Sequence, residues 1–220
     1  MDIYDAVETR RAVRSFTGRQ VPKESLERVL AAAARSPSGG NIQPWSTYVV
    51  TGAPLAELKQ RASERFAAGD PGEEQEFDFY PPDLKPPYLE RKFQAGAKRF
   101  SALGIARADE GARNRHIAEN WSCFGAPAAL FCYIDRSMGS AQWADIGMYL
   151  QSVMLLLRAE GLHSCPQKAW SVYQKTVAQV VAPSPELILF CGMSIGYADE
   201  TERFAWMDRA PLAETVTFLD

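Results

Sequence analysis

Only two histidines, His116 and His163, occur in the 220 residues, and the four cysteines stand far apart with no CxxC pair. Both shortages argue against a zinc centre, which needs clustered nitrogen or sulfur ligands, and no metal site is expected. Charge of one sign is also lacking. The 24 Lys+Arg against 27 Asp+Glu leave a formal net charge of −3, without the basic excess by which a nucleic-acid binder neutralises phosphates. No apolar run approaches the ~20 residues that span a bilayer; the longest apolar-leaning stretch, 147–157, contains Gln151 and Ser152. The start, Met1-Asp2-Ile3-Tyr4-Asp5, carries two acids and no basic region, so a signal peptide is not expected there. Scattered cysteines then read as reduced thiols of a cytoplasmic protein. No GxGxxG follows a strand pattern, which disfavours a dinucleotide-binding doubly wound fold.

What is present is an ordinary globular composition, 46% hydrophobic and 23% charged. A chain of this length buries roughly 70% of its unfolded surface, enough for a sizeable core. Periodicity and breakers predict helices over 3–13, 22–35, 54–67, 88–108, 109–124, 140–160 and 172–181, and strands over 46–51, 128–134, 186–195 and 215–219. In the 140–160 helix, Ile146, Tyr149, Leu150, Val153, Met154 and Leu157 predict burial on more than one face, with Gly161 as a left-handed cap. Residues 69–87, proline-rich and carrying Phe77, Phe79 and Tyr80, read as a long surface excursion. Few strands, irregularly spaced among helices, predict an α+β fold with a mixed sheet covered by helices, as one domain over 1–220.

Four segments carry groups suited to binding. Arg10-Arg11-Ala12-Val13-Arg14 crowds three guanidiniums, and on a helix Arg10 and Arg14 would share a face. Charges that close repel unless an anion sits among them, and the planar guanidinium fork matches phosphate oxygens. The bland alternative is a solvated basic face at a helix C-terminus. Ser36-Pro37-Ser38-Gly39-Gly40-Asn41-Ile42-Gln43-Pro44-Trp45 offers glycine-exposed backbone amides and two side-chain amides, or is an ordinary loop anchored by Trp45. In Gly161-Leu162-His163-Ser164-Cys165-Pro166-Gln167-Lys168-Ala169-Trp170, Pro166 directs the chain so that later amides can face a site, or Trp170 simply packs inside. A strand end at Gly196-Tyr197 leads on to Arg203 and Arg209-Ala210-Pro211-Leu212, where Arg209 is either a second cation for the same anion or a scattered surface arginine. Cys165 carries little weight as a nucleophile, and His163, two residues before it, reads as a structural or surface histidine.

Taken in this order, the four segments resemble the nitroreductase family of flavin mononucleotide (FMN) enzymes, over nearly the whole chain. Residues 120–130 and 147–151 and the string Cys165-Pro166-Gln167 look most like its nitrobenzoate and dinitroaniline reductase branch. The resemblance implies an interlocked homodimer with FMN at each interface, helix 140–160 between the chains, and strand 215–219 exchanged onto the partner's sheet. It implies that Arg10 and Arg209 bind the phosphate, with Arg11 adding charge and backbone beside Ala12. Arg14 would lie near the N1/O2 edge, where a reduced flavin becomes anionic. Pro37, Ser38, Gly39 and Asn41 would contact the ribityl and phosphate portion from the partner chain. Pro166, Gln167, Lys168 and Ala169 would line one face of the ring, with amides near Lys168 and Ala169 aimed at N5 and O4.

The implied activity is ping-pong reduction of a nitroaromatic or quinone-like acceptor by NADPH or NADH, with no side-chain acid or base required. Trp121 and Phe124, and then Phe79, Tyr80 and Tyr88, are the aromatics expected to stack on the acceptor, within a variable stretch, 69–124, near the substrate pocket. Two departures from the family pattern stand out. Ala12 occupies a position where many relatives carry a hydroxyl, and Trp206 and Met207 stand where many carry a second basic residue. The same fold also hosts flavin fragmentation and reductive dehalogenation. From another class, a flavin-binding module without turnover would carry the same motifs.

Overall fold

The computed structural model describes residues 1–219. Its elements run α1 (Ile3–Thr9), α2 (Lys23–Ala33), β1 (Trp45–Thr51), α3 (Gly52–Ala67), α4 (Tyr88–Ala102), α5 (Glu110–Ala118), β2 (Ala128–Asp135), α6 (Ser140–Ala159), β3 (His163–Gln167), α7 (Gln174–Val181) and β4 (Leu187–Gly196). Helix starts follow local chemistry. Asp2 accepts from the Asp5 N–H at 2.9 Å while the Asp5 carboxylate accepts from Asp2 N–H at 3.3 Å, closing a capping box on α1. The predicted N-cap Asp109 accepts from Ala112 N–H at 2.8 Å at the head of α5. Gly161, at φ +73°, follows α6 in the left-handed conformation predicted for it.

The four strands form one sheet in the order β1-β2-β4-β3. Every pairing in it is antiparallel, so the predicted mixed sheet is corrected. Parallel geometry appears as an isolated bridge between Ala12 and Ser164. Strand β2 is buried along nearly its whole length, and its side chains alternate between two cores. Ala129, Phe131 and Tyr133 face Leu55, Leu58 and Ala62 of α3 together with Trp170, Tyr173 and Val177. Leu130, Cys132 and Ile134 face Leu26, Val29 and Ala33 of α2 and the Ile146, Tyr149, Leu150, Val153, Leu157 stripe of α6. Helices therefore cover both faces of the sheet, as the α+β class requires.

One other expectation is corrected, and the exchanged strand finds no place within a single chain. Helix α1 stops at Thr9 instead of reaching 13, because Arg10 turns extended (φ −66°, ψ 121°) and the chain beyond it joins the β3 and β4 region. Residues 215–219 form no strand within the chain; the regular elements of their own unit are helical, and an extended segment needs a strand beside it to close a ladder.

The chain divides into two compact units. One holds Met1–Phe79 and His116–Glu202, including the whole sheet. The other holds Tyr80–Arg115 and the segment from Arg203 on, tied internally by Lys98 to Asp208 and Arg91 to Glu214, each at 2.7 Å. Within the first unit the opening of the 69–87 excursion is clamped. Arg65 pairs with Asp70 at 2.7 Å and Glu73 at 2.6 Å, Tyr173 donates to Asp70 O at 2.8 Å, and Glu73 N–H donates to Val172 O at 2.8 Å.

Among the described residues no helix is long and apolar enough to cross a membrane, and no group of three or more His, Cys, Asp or Glu side chains could hold a metal ion.

Candidate functional site

Residues 10–17 form an extended ribbon on which two of the other motif segments converge. Val13 N–H donates to Ser164 O at 3.1 Å, placing the ribbon beside β3. Phe16 N–H donates to Phe124 O at 3.0 Å, Thr17 N–H to Tyr197 O at 2.9 Å, and Asp199 N–H to Ser15 O at 3.0 Å. Phe16 also bridges Ala198. The driving force is burial: Val13 is fully buried and Phe16 nearly so, and two large apolar side chains outweigh the propensity of the run to stay helical. Arg10 and Arg14 consequently share no helix face. Arg10, Arg11, Ala12 and Arg14 are all partly exposed.

The basic run is partly neutralised from within the chain. Arg11 Nη1 lies 3.0 Å from Glu202 Oε2, with only 14% and 9% of the two side chains exposed. The other Glu202 oxygen accepts from Arg14 N–H at 3.2 Å. Arg14 Nη1 donates to Ala12 O at 3.3 Å. Glu202 escaped the sequence reading because an acid six residues past the end of a strand carries no pattern of its own.

Beside this pair, Arg158 Nη1 donates to Leu162 O at 3.1 Å and stands 2.8 Å from His163 Nε2. A guanidinium can only donate, so Nε2 accepts and the ring proton sits on Nδ1, a buried atom with no partner. Burial, then the charges of Arg158 and Arg11, push the His163 pKa down to about 4. The unfolded chain, at the ordinary 6.5, takes up this proton first. The His163 contribution to stability is therefore full above about pH 6.5 and is lost as pH falls toward 4. The urea midpoint of His163→Gln is expected to fall less between pH 7 and pH 5 than that of the parent chain; parallel curves would exclude the effect.

At the end of β3 the side chains alternate, with Pro166 and Lys168 exposed and Gln167 buried. Gln167 turns inward: its Nε2 donates to Asn120 O at 2.9 Å and its Oε1 accepts from Ser194 Oγ at 2.5 Å. The Gln167 side chain thus forms an internal tie between β3, β4 and the Asn120 turn. Lys168 extends over Phe190, its Nζ 5.4 Å from the ring centroid. Ala169 is half-buried.

Segment 36–45 is fastened to α6. Ser36 Oγ donates to Ala33 O at 2.7 Å and lies 2.8 Å from Ser152 Oγ, and Gly39 N–H donates to Asp145 at 3.2 Å. Ser38 Oγ accepts from Gln43 N–H at 2.9 Å. Gly40, Asn41 and Gln43 take φ of +59°, +59° and +50°, while Pro37, Gly39 and Asn41 are exposed.

Of the predicted stacking aromatics, Trp121 and Phe124 are sealed into the core at 4% exposure each. Trp121 packs edge-on to Trp170 at 5.3 Å and lies 4.6 Å from the Tyr173 ring. Neither residue offers a ring face to a ligand in this chain, which corrects their assignment as the main stacking groups. Phe79 is half-buried, 6.1 Å from Phe77. Tyr80 and Tyr88, in the second unit, are exposed at 53% and 61%, with Lys92 Nζ 3.9 Å over the Tyr80 ring. Arg209, in the same unit, is exposed and folds its Nη1 back to Met207 O at 2.9 Å and Asp208 O at 3.0 Å.

Comparison with known proteins matches residues 7–197 to the Nitroreductase family. The chain belongs to that family. It is 32% identical over 219 residues to a nitrobenzene nitroreductase of Ectopseudomonas oleovorans, covering 99% of this chain and 96% of the relative. The structure superposes with a TM-score of 0.95 on the FMN- and NADPH-dependent nitroreductase NfnB from sphigopyxis sp. strain HMH, at 41% identity and full coverage of both chains. The FMN-dependent NfnB from Mycobacterium smegmatis, solved in complex with NADPH, superposes with a TM-score of 0.93 at 30% identity, covering 99% of this chain and 97% of that one. As a nitroreductase, this chain places its family-like motifs on the ribbon 10–17, the end of β3 and the turn after β4, brought together by the bonds described above.

Proposed function

We propose that the chain is a cytoplasmic NAD(P)H-dependent nitroreductase that holds FMN and reduces nitroaromatic or quinone-like acceptors. The observation that carries this reading is the bridge from Ala12 to Ser164, which sets the arginine ribbon next to the segment Pro166–Ala169, whose Pro166 and Lys168 are exposed. The donor set fits the group: partly exposed guanidiniums at Arg10 and Arg14 suit a dianionic phosphate and an anionic ring edge. The segment exposes Pro166, whose flat ring suits a flat ligand, with Lys168 beside it. When bound, FMN supplies the hydride-accepting and hydride-donating chemistry that joins NAD(P)H oxidation to acceptor reduction.

The protein's own contribution is position and charge. Arg10 would grip the phosphate. Arg14 places a fixed positive charge by the N1/O2 edge, its backbone held by Glu202. The backbone of Lys168 and Ala169 would hold the ring at its N5 and O4 side. Tyr80 and Tyr88 offer the exposed rings for acceptor stacking, within the variable 69–124 part of a single 1–220 domain. Four buried cysteines outside any disulfide accord with a reducing compartment.

The functional unit is a homodimer. Helix α1 packs on α6, and both leave apolar surface outward: Ile3 at 60%, Tyr4 at 77% and Val7 at 50% on the first, Met148 at 42% on the second. Such exposure on adjoining helices supports a partner chain there. Pro37, Ser38, Gly39 and Asn41 then serve the partner's site, and 215–219 supplies the exchanged strand.

The test is the visible spectrum of the purified protein, titrated anaerobically with NADPH or NADH and then with a nitroaromatic. A flavin spectrum that bleaches and recovers is expected. A flavin that never bleaches favours the binding module, and bleaching without nitroaromatic turnover favours another chemistry on the fold. Arg14→Ala is expected to keep FMN but slow its bleaching about tenfold, the scale of one lost charge contact of ~1.4 kcal/mol. An unchanged rate would remove Arg14 from this role.

A further inference from the structure

Three guanidiniums within five residues need an anion, and the structure contains one before any ligand arrives. We propose that Glu202 is the resident counter-anion of Arg11 and withholds that guanidinium from the phosphate; this rests on the flavin reading above. Glu202 gives one oxygen to Arg11 Nη1 at 3.0 Å and the other to Arg14 N–H at 3.2 Å, so a single carboxylate spans residues 11 to 14. It is itself fixed by its N–H donating to Asp199 O at 3.1 Å, while Asp199 N–H donates to Ser15 O at 3.0 Å. The turn 199–202 is therefore clasped to the ribbon it neutralises.

The environment strengthens the pairing. Both side chains are mostly out of water, so their attraction is poorly screened. Arg158 and His163 crowd the same spot, and the charge of Arg11 disfavours protonation of both. Moving Arg11 onto a phosphate would strand Glu202 in this pocket next to a second anion. Glu202 acts as a positioning residue: it leaves the ribbon with fewer available cations than its three arginines indicate and confines the phosphate to the others.

The test compares affinities for FMN and riboflavin, which differ by the phosphate, measured by flavin fluorescence on the full-length chain after flavin exchange. The readout is the ratio of the two. A merely structural loosening weakens both flavins together and leaves the ratio alone. Glu202→Gln, which keeps the side-chain shape and removes the charge, is expected to raise the FMN preference at least threefold, because Arg11 is freed. The double variant Arg11→Met with Glu202→Met removes a neutral pair and is expected to return the ratio to within threefold of the parent. A smaller rise in the first variant, or a ratio outside that window in the second, overturns the proposal while leaving the flavin reading intact. A parent chain that binds neither flavin overturns both. Should the double variant fail to fold, the Glu202→Gln result decides alone.

Discussion

Gly192→Ala is expected to cost about 3 kcal/mol of stability, the upper part of the range for overpacking a tight core. Gly192 lies in β4 between Phe131 of β2 and Gln167 of β3, so its backbone is fixed by pairing on both sides. An added Cβ would overlap Trp170 Cδ1 and stand 3.1 Å from Phe131 Cε1. Trp170 cannot retreat: it is fully buried, edge-on to Trp121 at 5.3 Å and to Phe131 at 5.4 Å. The usual gain from restricting a glycine in the unfolded chain, ~0.4–1 kcal/mol, is too small to offset this. Gly96→Ala is the control, because its Cβ would meet nothing within 4 Å and it sits inside α4. That variant is expected to be neutral or slightly stabilised. Urea unfolding of both measures the contrast, and equal midpoints would refute it.

Arg10→Glu is expected to yield a folded, colourless protein with FMN affinity down at least 100-fold. The substitution leaves the backbone bond from Arg10 N–H to Ala6 O at 3.1 Å in place, since it involves no side-chain atom. What changes is two units of charge beside a dianion, which at a partly screened surface amounts to several kcal/mol. A variant that purifies yellow at full occupancy would show that the phosphate is held elsewhere.

The two predictions draw on different levels of the sequence. The core that Gly192 serves was legible in outline: the strand runs 128–134 and 186–195 and the stripe of α6 emerge within a residue or two of where periodicity puts them. The shape of the arginine ribbon was not. Ile3, Ala6, Val7 and Arg10 carry a helical spacing that continues to Val13, yet Val13 and Phe16 gain more by filling the core beside β3 and β4. Strand-like residues at 215–219 show the converse, a local preference with nothing in its unit to pair with. Aromatic type also misled at Trp121 and Phe124, since a ring suited to stacking on a ligand is equally suited to stacking on Trp170 or His116. Side-chain direction at Gln167 and the partnership of Arg11 with Glu202, 191 residues apart, depend on how distant strands meet, which no short window of sequence encodes.

The four cysteines lend themselves to a use unrelated to catalysis. All are buried and none is in a disulfide, and burial holds the thiols of Cys123 and Cys191 up at about 11 and 12 and that of Cys132 well above its ordinary range. A thiol reagent at neutral pH therefore meets almost no thiolate in the native protein. Labelling must wait for the core to open, and Cys132 and Cys191 face one another across β2 and β4 at its centre. Their alkylation rate is expected to follow global opening and to quicken in Gly192→Ala by the factor its lost stability dictates, so the protein carries its own chemical clock for unfolding.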